Sequence, residues 1–321
     1  MQNPEKVADA LRAAKMYYYH NLTTEAIARE LRVSRSTISR LLSFAKKEGF
    51  VEVRIIDPQD HPRQLEQRIQ RAYGLQRIHV VPMGEHTTEA ESLERVAQYT
   101  ANYLSTIFSS NMILGIAWGT TTSAISRNLV PKTTHHSQIV QLNGAGNTES
   151  LGIEYASEIL MRFAQNFRAT YHLFPVPAFF DRVETKKSLW EETSIKRILE
   201  LQTRADIWLY SIGSVSAGIP SHLHADGYLK KADYSDLKRL DIAGDIATVF
   251  FREDGSYHNI LINQRSSGPS LELLKHKRGI CVISGQAKLK GLMAAIRGKL
   301  LSELILDEPT ARVLVENYLG E

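Results

Sequence analysis

Short apolar runs alternate with longer amphipathic stretches from residue 77 to the end of the sequence. Each run has the length of a buried strand, and the stretches between the runs carry apolar residues at helical spacing. Continuous apolar strands separated by helices predict a mostly parallel sheet that helices cover on both faces. The expected fold class is therefore α/β, with a large Rossmann-like domain over residues 64–321. The predicted strands are 77–82, 112–118, 138–143, 169–174, 206–213, 246–251, 279–284 and 300–306, and the predicted helices are 89–107, 121–129, 150–166, 191–203, 287–297 and 308–319.

The amino-terminal region has helical periodicity only. A first helix is predicted over residues 5–19, with an apolar stripe formed by Val7, Leu11, Ala14 and Tyr18. Thr23 and Ser34 are the expected N-caps of a second and a third helix, and Gly49 is the expected end of the third. The side chains expected to face inward from this pair of helices are Ile27, Leu31, Val33, Ile38, Leu41 and Leu42.

A short strand and a linker are predicted after the third helix. The stretch "FVEVRII" alternates enough to form a strand, and "DPQDHP" contains two prolines and no large apolar residue. Three helices followed by a strand are typical of a winged helix-turn-helix. The predicted organisation is thus a winged helix-turn-helix over 1–57, a linker over 58–63 and the α/β domain over 64–321.

Positive charge is concentrated in the predicted helix-turn-helix. Residues 29–47 hold six Lys or Arg and one Glu, a net charge of +5, whereas the whole chain has a net charge of +4. A basic patch on a near-neutral body is typical of nucleic-acid binding, although a solvated helix face would have the same composition. A three-helix interaction domain with a basic face is the alternative that this region leaves open.

The predicted third helix has a polar outer face suited to the major groove. Hydroxyl and guanidinium groups match base edges and phosphates, so we expect Arg35 and Thr37 to contact bases and Arg40, Lys46 and Lys47 to contact phosphates. Arg32 occupies the turn, where glycine is common because that residue adopts a left-handed conformation. The complete set of expected DNA-contacting residues is Thr24, Ser34, Arg35, Ser36, Thr37, Ser39, Arg40, Lys46 and Lys47.

Several functional classes are not supported by the residues. One cysteine, Cys281, excludes an intramolecular disulfide and lies in an apolar run, where a buried inert thiol is expected. No signal-peptide pattern is present, and no apolar run approaches the ~18 residues that span a bilayer, so a cytoplasmic protein is expected. The pairs His135–His136 and His222–His224 lack a nearby third ligand, and "SIGSVSAG" is not a dinucleotide fingerprint. We therefore expect no metal and no cofactor.

The sequence resembles the SorC family of bacterial sugar-responsive transcription regulators. The resemblance begins with "LTTEAIARELRVSRSTISRLLSFAKKEGFVEVRI" and continues, in the family's order, through "GIAWGTTTSAIS", "IVQLNGAG", "FPVPAFFD", "ADIWLYSIGS", "GDIATVFFREDG", "LINQR" and "VISGQAKLKGLMAAIRGKL". It implies a tetramer-forming repressor or activator. The resemblance also implies a large domain related in fold to glucosamine-6-phosphate deaminase and ribose-5-phosphate isomerase, which binds a phosphorylated sugar that alters operator binding.

Two strand–turn–helix segments carry groups suited to a phosphate. In "AWGTTTSA", Gly119 precedes Thr120, Thr121 and Thr122 at a helix start, where backbone N–H groups and the helix dipole favour an anion. In "SGQAKLKG", Gly285 precedes Lys288, which the resemblance matches to the position that pairs with the ligand phosphate. Simple helix capping by threonine, and a lysine that points to solvent, are the alternatives for the two segments.

Three further segments supply candidate contacts to the sugar. Asp245 is the expected acceptor for sugar hydroxyls. Non-covalent binding is expected, because the amide of Asn143 cannot form a Schiff base. The remaining candidates are Gly144, Gly146, Asn263, Gln264 and Arg265.

Three functions are compatible with these observations. The first is a dimeric or tetrameric regulator that binds a palindromic operator in double-stranded DNA under the control of a phosphorylated sugar. The second is a sugar-phosphate isomerase or deaminase with an appended DNA-binding domain, although no complete acid–base set is evident. The third is an interaction module on an α/β scaffold, whose stability sugar phosphates would not affect.

Overall fold

The computed structural model describes residues 4–20, 22–51, 62–84, 86–147, 153–214, 223 and 227–319. The chain divides into two compact units, Met1–Asp60 and His61–Glu321. Most of the predicted wing strand and most of the predicted linker lie outside the described residues, so both remain predictions.

The described residues of the first unit form three helices around a small apolar core. They are α1 (Pro4–Ala14, continued by a π-helical turn over Lys15–Tyr19), α2 (Thr24–Leu31) and α3 (Arg35–Lys47). Thr23 and Ser34 cap α2 and α3 as predicted, through bonds from Ala26 N (3.2 Å) and Thr37 N (3.1 Å). Arg32 adopts the predicted left-handed conformation, with φ of 54°.

The inward face of the first helix differs from the prediction. Leu11 is 38% exposed, and the core side chains are the small Ala10, Ala13 and Ala14. Alanines allow α1 and α3 to approach closely, whereas a leucine stripe would hold them apart. Val33 was also predicted to face inward and is 39% exposed, because it belongs to the turn.

The second unit is built on a seven-stranded parallel sheet, which confirms the predicted α/β class. The strands of the sheet are β1 (Arg77–Val81), β2 (Ile113–Ile116), β3 (Gln138–Gln141), β4 (Thr170–His172), β5 (Ile207–Tyr210), β8 (Arg278–Ile283) and β9 (Glu303–Asp307), and β6 (Ile242–Ile246) and β7 (Val249–Arg252) form a separate antiparallel pair. The helices are α4 (Pro62–Tyr73), α5 (Glu89–Ile107), α6 (Thr120–Arg127), α7 (Ile153–Phe167), α8 (Val183–Trp190), α9 (Thr193–Arg204), α10 (Lys231–Arg239), α11 (Leu261–Arg265), α12 (Leu289–Arg297) and α13 (Glu308–Tyr318), with 3₁₀ turns at Leu271–His276 and Gln286–Lys288.

The strand order is β1-β9-β8-β5-β2-β3-β4. After β2 the chain builds outward through β3 and β4, then returns to place β5 on the other side of β2. The order of the strands therefore reverses between β2 and β5. In open α/β sheets, ligands bind beyond the carboxyl ends of the strands at such a reversal.

Helices cover both faces of the sheet, as the continuous apolar strands predicted. On one face α5, α6 and α7 contribute Val96, Ile125 and Phe163 to the core. On the other face α4 and α12 contribute residues such as Ile69 and Leu292. No helix in the described part of the chain is both long enough and apolar enough to cross a bilayer.

The segment 246–251 was predicted as one strand of the main sheet, and this was wrong. Ala247 and Thr248 both have positive φ, 48° and 68°, so the chain reverses there and forms the β6–β7 hairpin. Two consecutive left-handed residues are typical of the tight hairpin turn that matches strand twist. The segment is apolar because the hairpin is buried on the rest of the domain, not because it is a central strand.

Four helices in the described parts of the chain were not predicted, namely α4, α8, α10 and α11. Helix α4 begins at Pro62, inside the predicted linker, because proline is favoured in the first turn of a helix. Leu65 and Ile69, four residues apart, are its buried contacts. Glu66 accepts a hydrogen bond from Val80 N (2.9 Å) and so occupies a backbone group on edge strand β1.

Candidate functional site

A pocket lies where the carboxyl ends of β2, β3, β5 and β8 converge. Its empty space of about 850 Å³ includes open solvent. Eight residues predicted to bind the effector line it: Gly119, Thr120, Thr121, Thr122, Asn143, Asp245, Gly285 and Lys288. The pocket therefore occupies the reversal of strand order between β2 and β5.

The turn between β2 and α6 forms one wall of the pocket. Gly119 has φ of 158° and ψ of 174°, a conformation essentially restricted to glycine. A Cβ atom at this position would meet no atom within 4 Å, so backbone conformation and not packing requires glycine. The first N–H groups of α6, which begins at Thr120, have no acceptor within the helix and can bind an anion.

Lys288 lies beside this helix start. Its Nζ donates hydrogen bonds to Thr121 Oγ1 (3.3 Å) and Ser211 Oγ (3.1 Å). Burial lowers the pKa of Lys288, and the nearby Cys281 and Asp245 oppose that effect. A desolvated ammonium beside free N–H groups is a strong site for a phosphate, because each hydrogen bond to the anion would be charge-assisted. By contrast, Lys290 is exposed and pairs with Glu253.

A buried carboxylate accepts a hydrogen bond from the turn that precedes Lys288. Asp307, at the end of β9, accepts from Gly285 N through Oδ2 (2.8 Å) and from Thr310 N through Oδ1 (2.9 Å). Gly285 has φ of +93°, which favours glycine. Asp307 thus caps α13 and positions the turn before Lys288.

Asp245 lies on the hairpin strand β6 and faces the same pocket. Its side chain is buried, and burial raises its pKa from 3.8 to about 6, against the opposing effects of the Thr248 N–H and Lys288. Asp245 Oδ2 accepts that N–H at 3.1 Å. A Cβ atom on Gly213 would lie 1.9 Å from Asp245 Oδ1, so glycine at 213 creates the space for the carboxylate.

Asn143 Oδ1 and Ser284 Oγ belong to residues that also line the pocket, and neither atom has a hydrogen-bond partner among the described residues. Asn143 is only 1% exposed, and a buried acceptor without a partner costs about 1–3 kcal/mol. The backbone around it is fixed, since Trp118 Nε1 donates to Asn143 O (3.1 Å) and Gly144 O (2.9 Å). A ligand hydroxyl would satisfy the amide oxygen.

Five of the predicted effector-binding residues do not line the pocket. Gly144 packs against Val176, where an added Cβ would lie 2.3 Å from the carbonyl oxygen. Gly146 pairs with the backbone around Pro177. Gln264 is exposed. The other two are Asn263 and Arg265.

Asn263 and Arg265 make structural contacts instead. Asn263 bonds both backbone groups of Phe250, each at 2.8 Å, and so anchors α11 to β7. Arg265 donates to Phe180 O (3.2 Å) and pairs with Asp233 (2.5 Å). Their polar groups are therefore already engaged within the protein. Both residue types could contact a sugar, but here the fold uses them to hold the domain together.

The structure adds pocket residues that the sequence prediction missed. The most informative are Glu89, Ser211 and Thr248. Ser211 follows β5 directly, and Glu89 is the first residue of α5. The position of Ser211 after a buried strand is a signal that could have identified it, because all parallel strands end at one edge.

Helix α3 presents the predicted DNA-contacting side chains at the surface of the first unit. Ser34, Arg35, Ser36, Ser39 and Arg40 are exposed, as are both lysines at the end of the helix. Thr24 and Thr37 are partly buried. Thr37 Oγ1 and Ser36 Oγ each lie 2.8 Å from Ser34 Oγ, so these hydroxyls also maintain the cap of α3.

Arg35 is paired with Glu25 on α2 (2.9 Å). The two side chains are 69% and 50% exposed, and an exposed ion pair of this kind contributes about 0–1 kcal/mol. The guanidinium can therefore leave Glu25 for a base edge at small cost.

Among the residues that the structure describes, the remaining chemistry-bearing side chains do not form a second centre. Burial raises the pKa of the Cys281 thiol to about 12, so the thiol stays protonated. Within the described part of the chain no three His, Cys, Asp or Glu side chains are grouped to hold a metal. His135 and His136 are exposed, and the pair at 222 and 224 lies outside the described residues.

Comparisons with known proteins identify the relatives of this chain. The Sugar-bind family model, which describes a sugar-binding domain, matches residues 57–316. The deoxyribonucleoside regulator of Bacillus subtilis (strain 168) is 33% identical over 316 residues, which cover 98% of this chain and 99% of that protein. The sorbitol operon regulator of Klebsiella pneumoniae is 25% identical over 319 residues, 98% of this chain and 100% of that protein.

Solved structures have the same fold. A domain of a "possible sugar-binding transcriptional regulator" from Arthrobacter aurescens TC1 is 48% identical, has a TM-score of 0.74, and covers 81% of this chain and 100% of its own. The full-length sorbitol operon regulator SorC from Klebsiella pneumoniae superposes with a TM-score of 0.71 at 23% identity, over 97% of this chain and 99% of its own. The chain belongs to the SorC family of sugar-responsive transcriptional regulators.

Proposed function

We propose that this protein binds operator DNA through α3, and that a phosphorylated sugar bound in the pocket of the second unit controls this binding. The observation that carries the proposal is that one pocket is lined both by Lys288, beside the amino end of α6, and by the buried oxygen acceptors of Asp245 and Asn143. A phosphate requires cations and N–H donors, and a sugar requires carboxylate and amide oxygens.

The phosphate would lie against the N–H groups of residues 120–122 and Lys288 Nζ. In that position it would replace the weak hydrogen bonds that Lys288 now makes to Thr121 and Ser211. The sugar hydroxyls would then donate to Asp245 and Asn143, of which the latter has an unpartnered buried oxygen. Binding would be non-covalent and would involve no cofactor.

Regulation without catalysis fits the pocket better than turnover does. Isomerisation of a sugar phosphate needs a base and a separate acid to open the ring. Asp245, with a pKa of about 6, could act as a base, but no histidine is among the described residues that line the pocket. Release of isomerised or deaminated product from a pentose or hexose phosphate by the purified protein would favour the enzymatic alternative.

Control of DNA binding requires that the ligand bind the DNA-competent and DNA-incompetent states with different affinities. We expect a dimer of dimers in the cytoplasm that recognises a palindromic operator, since two-fold symmetry places two recognition helices on equivalent half-sites. The relatives named for sorbitol, erythritol and deoxyribonucleosides support a carbohydrate-derived effector.

A melting-shift screen tests the proposal directly. The panel contains ribose 5-phosphate, deoxyribose 5-phosphate, sorbitol 6-phosphate and erythritol phosphate, each beside its unphosphorylated form. A ligand present at ~100 times its Kd should stabilise the folded protein by about 2.7 kcal/mol. The phosphorylated form should raise Tm, the unphosphorylated form should not, and the active compound should alter the mobility of a complex with the gene's own upstream DNA.

Lys288→Met and Lys290→Met form a matched pair for this screen. The first variant should lose the melting shift and keep DNA binding, because it removes the buried ammonium, whereas the second should behave as wild type. Loss of a charge-assisted contact of about 1.5–3 kcal/mol corresponds to a roughly 10- to 150-fold weaker Kd. An unaltered shift in Lys288→Met would show that the phosphate is not held at this wall.

A further inference from the structure

A groove runs along the first unit between α1 and α3. Its described lining consists of Lys6 from α1 and of Thr37, Arg40, Leu41, Ser43, Phe44 and Lys47 from α3. Positions 37, 40, 41, 44 and 47 follow helical spacing, so they form one continuous flank of α3. Arg40 and Ser43 also belong to the outer face predicted to enter the major groove, so this groove directly adjoins that face.

The groove is positively charged. Lys6, Arg40 and Lys47 contribute three cations, and no acidic residue is among the described residues that line it. Within the described part of the chain, neither Lys6 nor Lys47 forms an ion pair with a carboxylate. The nearest acidic neighbours in sequence are Glu5 and Glu48, and Glu48 is the residue that follows α3.

The ammonium of Lys6 is held in position by an aromatic ring. Lys6 Nζ lies 4.3 Å from the centroid of Phe44. A cation over an aromatic face is attracted by the negative potential of the ring. This contact restricts the Lys6 side chain before any ligand binds. Less conformational entropy is then lost when its ammonium contacts a ligand in the groove.

The geometry of DNA indicates what would occupy this groove. The major groove is about 12 Å wide and an α-helix with its side chains is about 10–12 Å in diameter, so a helix in the major groove has a phosphate backbone along each flank. The flank of α3 that faces α1 is therefore expected to run beside one DNA strand. The three cations and two hydroxyls that line the groove match the chemistry of phosphodiester oxygens.

We propose that the groove between α1 and α3 holds one phosphodiester strand of the bound duplex, and that Lys6 on α1 is a phosphate-contacting residue together with Arg40 and Lys47. The inference rests on the proposed DNA binding and extends it to a helix outside the helix-turn-helix. Lys6 would strengthen binding to every sequence by a similar factor, because a phosphate contact carries no base information.

The salt dependence of binding to a 30-base-pair duplex of random sequence tests this assignment. Fluorescence anisotropy with the full chain, at several KCl concentrations, gives the slope of log Kobs against log[KCl]. Lys6→Met keeps an unbranched side chain on Phe44 and removes only the charge. Its slope should be smaller in magnitude by about 1, because one fewer counterion is released, and its affinity should be roughly 3- to 10-fold lower at ~100 mM KCl.

Three comparisons complete the experiment. Lys15→Met removes a charge from the π-helical turn after α1, outside the described groove lining, and should change the slope much less. Lys6→Arg should restore the wild-type slope. On upstream DNA that contains the operator, Lys6→Met should lose the same factor as on random DNA, so the ratio of the two affinities should stay constant.

The possible results distinguish failure of the Lys6 assignment from failure of the proposed DNA binding. A wild-type slope in Lys6→Met would overturn the inference and leave the proposed DNA binding intact. A loss confined to operator DNA would also overturn it, because Lys6 would then be reading sequence. Absence of salt-dependent duplex binding by the wild-type protein would instead refute the proposed function, and this inference with it. A melting temperature of Lys6→Met equal to that of the wild type would exclude a folding defect.

Discussion

Replacing Asp245 with asparagine should make the ligand-free protein more stable at neutral pH. The Asp245 carboxyl is buried, and burial raises its pKa from 3.8 to about 6. At pH values between 3.8 and about 6, the folded protein binds more protons than the unfolded chain. The free energy of unfolding therefore falls as pH rises through this window and becomes constant above it. Asparagine cannot ionise, and it keeps an acceptor oxygen for the Thr248 N–H that Asp245 now binds at 3.1 Å.

The magnitude follows from the two pKa values. The linkage relation gives a cost of ionised Asp245 of about 2 kcal/mol at pH 5.0 and about 3 kcal/mol at pH 7.5. For a domain of this size, about 1 kcal/mol corresponds to 2–4 °C in Tm. The Tm of Asp245→Asn should thus exceed that of the wild type by about 4–8 °C at pH 5.0 and by about 6–12 °C at pH 7.5.

Thermal unfolding followed by circular dichroism at the two pH values provides the measurement. Asp241→Asn is the control, because Asp241 is exposed on the same segment and its φ of 49° is one that asparagine tolerates. This control should show no pH-dependent gain. The reasoning would be refuted if Asp245→Asn were less stable than the wild type at both pH values, or if its advantage failed to grow between them.

Two further substitutions test other parts of the structure. Gly213→Ala should destabilise the protein by about 1–3 kcal/mol and weaken effector binding, because its Cβ would lie 1.9 Å from Asp245 Oδ1. Gly84→Ala is the control, since its Cβ would approach only Thr87 Oγ1, at 3.3 Å. Urea denaturation should show a smaller loss of stability for the control. A larger loss in Gly84→Ala would contradict the steric argument. Arg35→Ala should reduce the preference for upstream over random DNA by roughly 10- to 100-fold in competition anisotropy. Urea unfolding should show a change in stability of less than about 1 kcal/mol. An equal loss of affinity for both DNAs would instead assign Arg35 to a phosphate contact.

Three groups in the pocket reduce the stability of the fold. The buried Asp245 carboxyl, the desolvated Lys288 ammonium and the unpartnered Asn143 oxygen each disfavour the unliganded fold. A ligand with a phosphate at one end and hydroxyls at the other would satisfy all three groups. Binding energy gained in this way is available to shift the protein between states, provided that the states differ in the geometry of these groups.

Local chemistry in the sequence was sufficient to predict the helix-turn-helix and most strands. Thr23, Ser34 and Arg32 act within one or two helical turns, so their roles depend on neighbours that the sequence places beside them. Continuous apolar runs predicted the parallel sheet for a similar reason, since a strand buried on both faces cannot alternate. The two turns around Gly119 and Gly285 were predicted from strand–turn–helix order alone.

Only the tertiary structure decided which polar residues share the pocket. Thr121, Ser211 and Lys288 are far apart in the chain and meet because β2, β5 and β8 are neighbours whose carboxyl ends lie at one edge. The same structure engages Asn263 and Arg265 elsewhere, although their chemistry would suit a sugar equally well. Side-chain chemistry determined what each residue could bind, whereas strand order, a long-range property set by packing of the whole sheet, decided which of them can bind the same ligand.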